Sequence, residues 1–250
     1  MNLTLNHLSV GYGRRAVLAD INADLQPVAL TMLLGPNDAG KSTLLRTIIG
    51  VQPPVAGSIT IDGVDIAQLP AIERARLISV VLTARTGGGG LTVNELVAIG
   101  RHPHCGVFGR LTASDRQIIA DAIHAVGLDH KTHSPMASLS DGERQKALIA
   151  RALAQQTPII ILDEPTSFLD IAARFDIIEL LAKMVSERQT TILMSIHDIT
   201  SSLPYSTHIW AIAQGQLHTG STPEVIASGI LSTLFPNTAF NPATLTFHRG

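Results

Sequence analysis

Residues 35 to 43 read Gly35-Pro36-Asn37-Asp38-Ala39-Gly40-Lys41-Ser42-Thr43, which contains the pattern G-x-x-x-x-G-K-S. Glycines at these positions let the backbone close around a phosphate, so that its N–H groups and the start of a following helix face the anion. Lys41 adds a point charge aimed at the outer phosphates, and the Ser42 hydroxyl is an oxygen ligand suited to Mg²⁺. Further along, IIILDEP (159 to 165) delivers Asp163 and Glu164 at the carboxyl end of an apolar run. Ligands of open α/β sheets bind at that end of the strands. Asp163 is placed to hold the metal ion, and Glu164 to polarise an attacking water. An acidic pair alone is also an ordinary loop boundary or helix cap. Together with the phosphate loop it points to nucleotide hydrolysis.

Asp38 runs against this pattern, because a carboxylate repels phosphate. At about 8 Å from one phosphate charge, and an effective dielectric of about 20 to 80, the repulsion costs about 0.5 to 2 kcal/mol. That weakens binding without abolishing it. Aspartate also takes left-handed backbone angles more readily than most residues, so the loop conformation stays reachable, with the Asp38 side chain expected to face solvent.

These groups need a strand, a loop and a helix to hold them. ALTMLL (29 to 34) is a continuous apolar run ended by Gly35, and STLLRTIIG places Leu44, Leu45, Ile48 and Ile49 at helical spacing. Residues 3 to 10 and 17 to 25 alternate apolar and polar around a GYG turn, which predicts an antiparallel pair. GSITIDG (57 to 63) and LISVVL (77 to 82) read as strands, with a helix over 72 to 77 between them. The middle of the chain is helical. Thr92 and Glu95 form a capping box, Ser114 to Val126 repeats apolar residues at helical spacing, and a third helix starts near Ser140. Strands and helices then alternate again: IIIL (159 to 162), a helix from about Asp170 to Glu187, TTILMSIHD (190 to 198) and HIWAIAQGQL (208 to 217). GGGG (87 to 90) is a natural hinge into the helical insert.

The 250-residue chain is 45% hydrophobic and 15% charged, which suits one domain over 1–250 with a sizeable core. Its formal net charge of -2 gives no electrostatic case for nucleic acid as a partner. The single cysteine, Cys105, rules out an internal disulfide and agrees with a reducing compartment. The amino terminus lacks a charged region followed by an apolar run, so no secretory signal is expected. Apolar runs are strand length, short of the roughly 20 residues that span a bilayer, so any membrane role passes through a partner. His102, His104 and Cys105 are read as loop residues, since the intervening proline and the lack of a second ligand cluster argue against zinc.

LSDGERQKALIARAL (139 to 153), taken with the two motifs above, resembles the signature of the ATP-binding cassette (ABC) ATPases, whose usual form is LSGGQ followed by a basic, alanine-rich helix. From the residues alone, Ser140 and Glu143 make a capping box at a helix start. The resemblance implies an α/β P-loop NTPase with a RecA-like core, an antiparallel β subdomain, and an α-helical subdomain inserted at about 88–156. It also implies ATP and Mg²⁺ as ligands. In the family, the segment holding Ser140, Gly142 and Glu143 contacts the γ-phosphate of ATP bound to a second copy in a head-to-tail dimer. Tyr12 resembles the aromatic residue that stacks on adenine, a role that needs only its π-face. Asp170, which ends TSFLD, resembles the close of the dimer-contacting loop, and His197 in MSIHD resembles the switch histidine at the γ-phosphate.

Lys41 and Leu139 are close enough in sequence for only a short helical insert, as in transporter ATPases. LTVNELVAIGRHPH (91 to 104) looks most like the importer subfamily handling iron–siderophores, haem and cobalamin. The resemblance then implies an ATPase at the cytoplasmic face of the inner membrane, with two transmembrane permease subunits and an external substrate-binding protein. Three departures stand out. Thr83 occupies the position of the glutamine that touches Mg²⁺, Asp141 and Glu143 replace a glycine and the glutamine of the signature, and Asp38 sits in the loop. Jointly they describe a site more negative and less fully liganded than the family norm. They keep two alternatives open: a soluble ABC ATPase such as an iron–sulfur assembly factor, and a nucleotide-binding regulatory subunit with little catalysis.

Overall fold

The computed structural model describes residues 1–82, 90–106, 109–196, 198–235 and 238–249. Thr83 and His197, and Gly87 to Gly89 of the expected hinge, lie outside the described residues.

The chain opens with β1 (Leu3–Tyr12) and β2 (Arg15–Leu25), paired antiparallel. Alternate residues of β1 are buried, as its alternating sequence predicts. The turn lies one step later than expected, at Gly13 and Arg14, because Gly11 stays in the strand, where a Cβ would collide with the Arg15 backbone. The all-buried β3 (Leu30–Leu34) leads through the phosphate loop into α1 (Lys41–Ile48). β4 (Ala56–Ile61), β5 (Val64–Asp65), α2 (Ala71–Leu77) and β6 (Ile78–Val81) follow.

The helical insert comprises α3 (Val93–Ile99), α4 (Ala113–Ala125) and α5 (Asp141–Ala154). Each starts with a capping box: Thr92 with Glu95, Thr112 with Asp115, and Ser140 with Glu143. The middle box was hidden in the sequence by aspartate in place of the usual glutamate. The buried Arg101 ties the three helices together, its Nε donating to Asp115 Oδ1 at 2.9 Å and Nη1 to the Ala154 carbonyl at 2.7 Å. Donors from the Thr112 hydroxyl and backbone, and then from Arg101, hold the Asp115 carboxyl down to about 2.

The return to the core runs β7 (Ile159–Asp163), α6 (Ile171–Arg188), β8 (Thr191–Ser195), α7 (Ile199–Ser202), β9 (His208–Ala213), β10 (Gln216–Ser221) and α8 (Thr222–Ala227). HIWAIAQGQL, expected as one strand, is a hairpin, with Gln214 and Gly215 both at positive φ, 51° and 77°. Two positive φ values in a two-residue turn match the twist of the strands they join. A last hairpin, β11 (Thr238–Asn241) with β12 (Thr246–Arg249), pairs Phe240 with Phe247.

Two sheets result. Strands β10-β9-β3-β8-β7-β6 form a sheet that is parallel except for β10, and β2-β1-β4-β5 form an antiparallel one. One core gathers Leu44, Leu45 and Ile48 of α1 with Leu3, Leu5 and Leu8 of β1 and with Leu33, Ile161 and Trp210 of the larger sheet. The other gathers α6 and the helical insert on the opposite set of strand residues. Apolar side chains on both faces of β3, β7 and β8 therefore find partners, which is why these strands read as unbroken apolar runs. The expected core, β subdomain and helical insert are all present. Among the described residues, no helix is long and apolar enough to cross a membrane.

Candidate functional site

A cavity of about 600 Å³ opens where β3 and β7 end, lined by Tyr12, Val17, Asn37, Asp38, Gly40, Lys41, Ser42, Thr43 and Glu164. Gly40 takes φ 98° immediately before α1, and a Cβ there would press on Val17. A glycine is thus required twice over, by conformation and by space. With no side chain at Gly40 and no acid in the first turn of α1, the helix begins without a side-chain cap. Its leading N–H groups and positive dipole end face the cavity mouth as an anion cradle.

Lys41 is buried, and its ammonium donates to the carbonyls of Gly35 at 2.8 Å and Pro36 at 2.9 Å. Burial lowers its pKa from the usual lysine value, while Glu164, Asp163 and Asp38 work in the opposite direction by holding the charged form. Asp38 is exposed and takes φ 62°, as expected from its tolerance of left-handed angles. Its carboxylate therefore disfavours an anion in the cavity and at the same time favours the charged form of Lys41.

Ser42 Oγ donates to Asp163 Oδ1 at 3.4 Å, joining the start of α1 to the end of β7. The same carboxylate oxygen accepts from Ser195 Oγ at 2.7 Å, and Ser195 Oγ in turn accepts from the Glu164 N–H at 2.9 Å. Ser195 is fully buried at the end of β8, in register with Asp163. Sequence reasoning missed it. Its only signal was a hydroxyl residue closing an apolar strand, and the pairing of β7 with β8 is needed to see its purpose. Glu164 holds a left-handed backbone at φ 50°, an arrangement that costs about 1 to 3 kcal/mol and persists only where neighbours fix it. The bond to Ser195, and Ser167 Oγ donating to Glu164 Oε2 at 2.9 Å, provide that fixing.

Tyr12 is 59% exposed at the cavity while its hydroxyl meets Thr43 Oγ1 at 3.3 Å. An aromatic face is thus displayed beside the phosphate loop. The other expected contacts are not brought here: Ser140, Gly142, Glu143 and Asp170 do not line the cavity. Ser140 accepts from the Glu143 N–H at 3.2 Å, and Glu143 accepts from the Ser140 N–H at 2.9 Å. That backbone donor is the main reason the Glu143 carboxyl lies below its usual range, with Lys131 adding to it. Asp170 caps α6 by accepting from the Ala173 N–H at 2.8 Å.

The oxygens of Ser42 and Asp163 converge near Lys41, and both are hard ligands of the kind Mg²⁺ takes. Among the described residues, no cluster of three or more acidic, histidine or cysteine side chains is positioned to hold a metal. One carboxylate plus one hydroxyl suits Mg²⁺, which completes its shell from water and phosphate oxygens rather than a protein cage.

Residues 18–167 match the family model described as ABC transporter. The iron(3+)-hydroxamate import ATP-binding protein of Bacillus subtilis is 37% identical over 94% of this chain and 87% of its own length. The ferric enterobactin transport ATP-binding protein of Escherichia coli is 36% identical over 90% of this chain and 83% of its own. Among solved structures, an ABC transporter described as metal-chelate type, in an inward-facing conformation, superimposes with a TM-score of 0.82 at 26% identity, covering 98% of this chain and 94% of that one.

Proposed function

The chain belongs to the ABC transporter family, as the ATP-hydrolysing subunit of an importer, and from that premise we propose that it drives uptake of ferric siderophores. The cargo follows from likeness to the hydroxamate and enterobactin ATPases over most of both chains. Likeness of that extent also favours an importer over a soluble iron–sulfur assembly factor.

One observation supports hydrolysis over mere nucleotide binding: Ser195 holds Asp163 and Glu164 in fixed relation while Ser42 ties them to the uncapped end of α1. Tyr12 stacks on adenine. The α1 N–H groups and Lys41 take the phosphates, for which Lys41 exchanges the Gly35 and Pro36 carbonyls for phosphate oxygens. Ser42 and Asp163 would hold Mg²⁺, which would supply charge neutralisation at the phosphates. Glu164 accepts the proton of the attacking water. The start of α5 and the loop to Asp170 meet a second copy, and two permease subunits and an external binding protein complete the transporter. In that assembly the chain works at the cytoplasmic face of the membrane.

The test is Glu164→Gln in the complex with its permease. ATP binding stays at the wild-type level and steady-state hydrolysis falls roughly 10²- to 10⁴-fold. Unchanged hydrolysis removes Glu164 from this role. Uptake by the reconstituted complex, compared across ferric hydroxamate, ferric catecholate, haem and cobalamin, tests the cargo, and preference for either of the last two overturns it.

A further inference from the structure

The loop from Glu164 to Asp170 carries two non-glycine residues at left-handed angles, Glu164 at φ 50° and Phe168 at φ 66°. Ser195 and Ser167 hold its first residue. Its far end is held from α6, where Arg174 Nε donates to the Leu169 carbonyl at 2.9 Å. The same guanidinium reaches a second segment: Nη1 donates to Asp198 Oδ2 at 3.2 Å. Asp198 lies between β8 and α7 and caps α7 through the Ser201 N–H. One planar fork thus spans two acceptors on separate segments, one ending the loop of Glu164 and the other beginning just past β8. An ammonium has no such fixed fork.

We propose that Arg174 is a positioning residue for ATP hydrolysis, locking the loop that carries Glu164 to the segment that starts at Asp198. The hydrogen bonds of Arg174 go to Leu169 and Asp198 rather than to the phosphate loop or Tyr12, so turnover depends on it and nucleotide affinity does not. The pair is about one third exposed, 34% and 38% for the two side chains, and such ion pairs add little to folding. A purely structural role therefore leaves the kinetics unmoved. The inference rests on Glu164 acting at the attacking water.

The experiment is a cycle of Arg174→Met, Asp198→Asn and the double variant in the complex with its permease. Asparagine keeps the cap of α7 while losing the charge. Each single variant lowers kcat roughly ten- to a hundredfold, as misplacement of a reacting group does, while KM for ATP and Tm stay at wild-type values. The double variant is no slower than the slower single, because both break one link. Arg174→Lys recovers part of the rate. Wild-type kcat in Arg174→Met, a raised KM or lowered Tm alongside the slower rate, or multiplied losses in the double variant each overturn the proposal. Glu164→Gln, measured in parallel, separates the two readings. If it keeps its turnover, the site assignment fails; if it loses turnover while Arg174→Met does not, only the link fails.

Discussion

Helices α1 and α5 both begin at segments that the family resemblance assigns to phosphate, yet they begin in opposite ways. Before α1 stands Gly40, with no side chain and a left-handed backbone, and the first turn contains no acid. Before α5 stands Ser140, bonded into a capping box with Glu143, and Asp141 and Glu143 both occupy the first turn. The first helix leaves its N–H groups and positive end for an outside anion, and the cavity forms around it. The second has answered its own polar end with its own side chains, and it lies away from that cavity. Within one chain, α1 thus leaves its polar end open to an anion, whereas α5 closes its own.

Breaking the α1 side carries the largest effect. Lys41→Ala removes a buried cation at the mouth of the cradle, and ATP hydrolysis by the permease complex falls roughly 10²- to 10³-fold. Retained turnover shows that phosphate is not held there. On the α5 side, Ser140→Ala deletes the cap and lowers stability to denaturant by about 1 kcal/mol, with ATP binding to the isolated chain unchanged. Loss of binding in that isolated chain dissolves the division between the two helices.

Acid sharpens the contrast. Because Glu143 sits below its usual range in the fold, its stabilisation is complete above that range and drains away as pH drops through the lowered value. The stability gap between wild type and Glu143→Gln therefore closes on acidification, which urea titrations at successive pH values measure; a pH-independent gap contradicts it. The smallest effect belongs to Asp38→Gly. Exposed at the cavity rim, Asp38 repels phosphate by only about 0.5 kcal/mol, so titration calorimetry finds ATP affinity equal or roughly twofold tighter. Markedly weaker binding means that its support of the Lys41 charge outweighs the repulsion.

Much of this was legible because the signals are short in range. A capping box spans only a few residues, so Thr92 with Glu95 and Ser140 with Glu143 were readable directly, as was the strand, loop and helix around Gly35 to Ser42. The hairpin hidden in HIWAIAQGQL was not, because its Gln-Gly turn lacks the usual Asn-Gly or Asp-Gly marker. Nor was the carboxyl-terminal hairpin, whose strands are held through packing of Phe235 and Phe240 against Phe247.

The sequence by itself determined most of the elements, the glycine-rich loop with its lysine, and the acidic pair after an apolar strand, since each depends on neighbours along the chain. Tertiary structure decided how they are held. Ser195 reaches Asp163 across 32 residues, and Arg174 reaches Asp198 across 24, only because strand order and the placement of α6 bring them together. Asp38 faces solvent, and Lys41 rests on two carbonyls, only once the loop has closed over α1. Hydrogen bonds reach about 3 Å, so residues distant in sequence can share one only after the fold has placed them side by side.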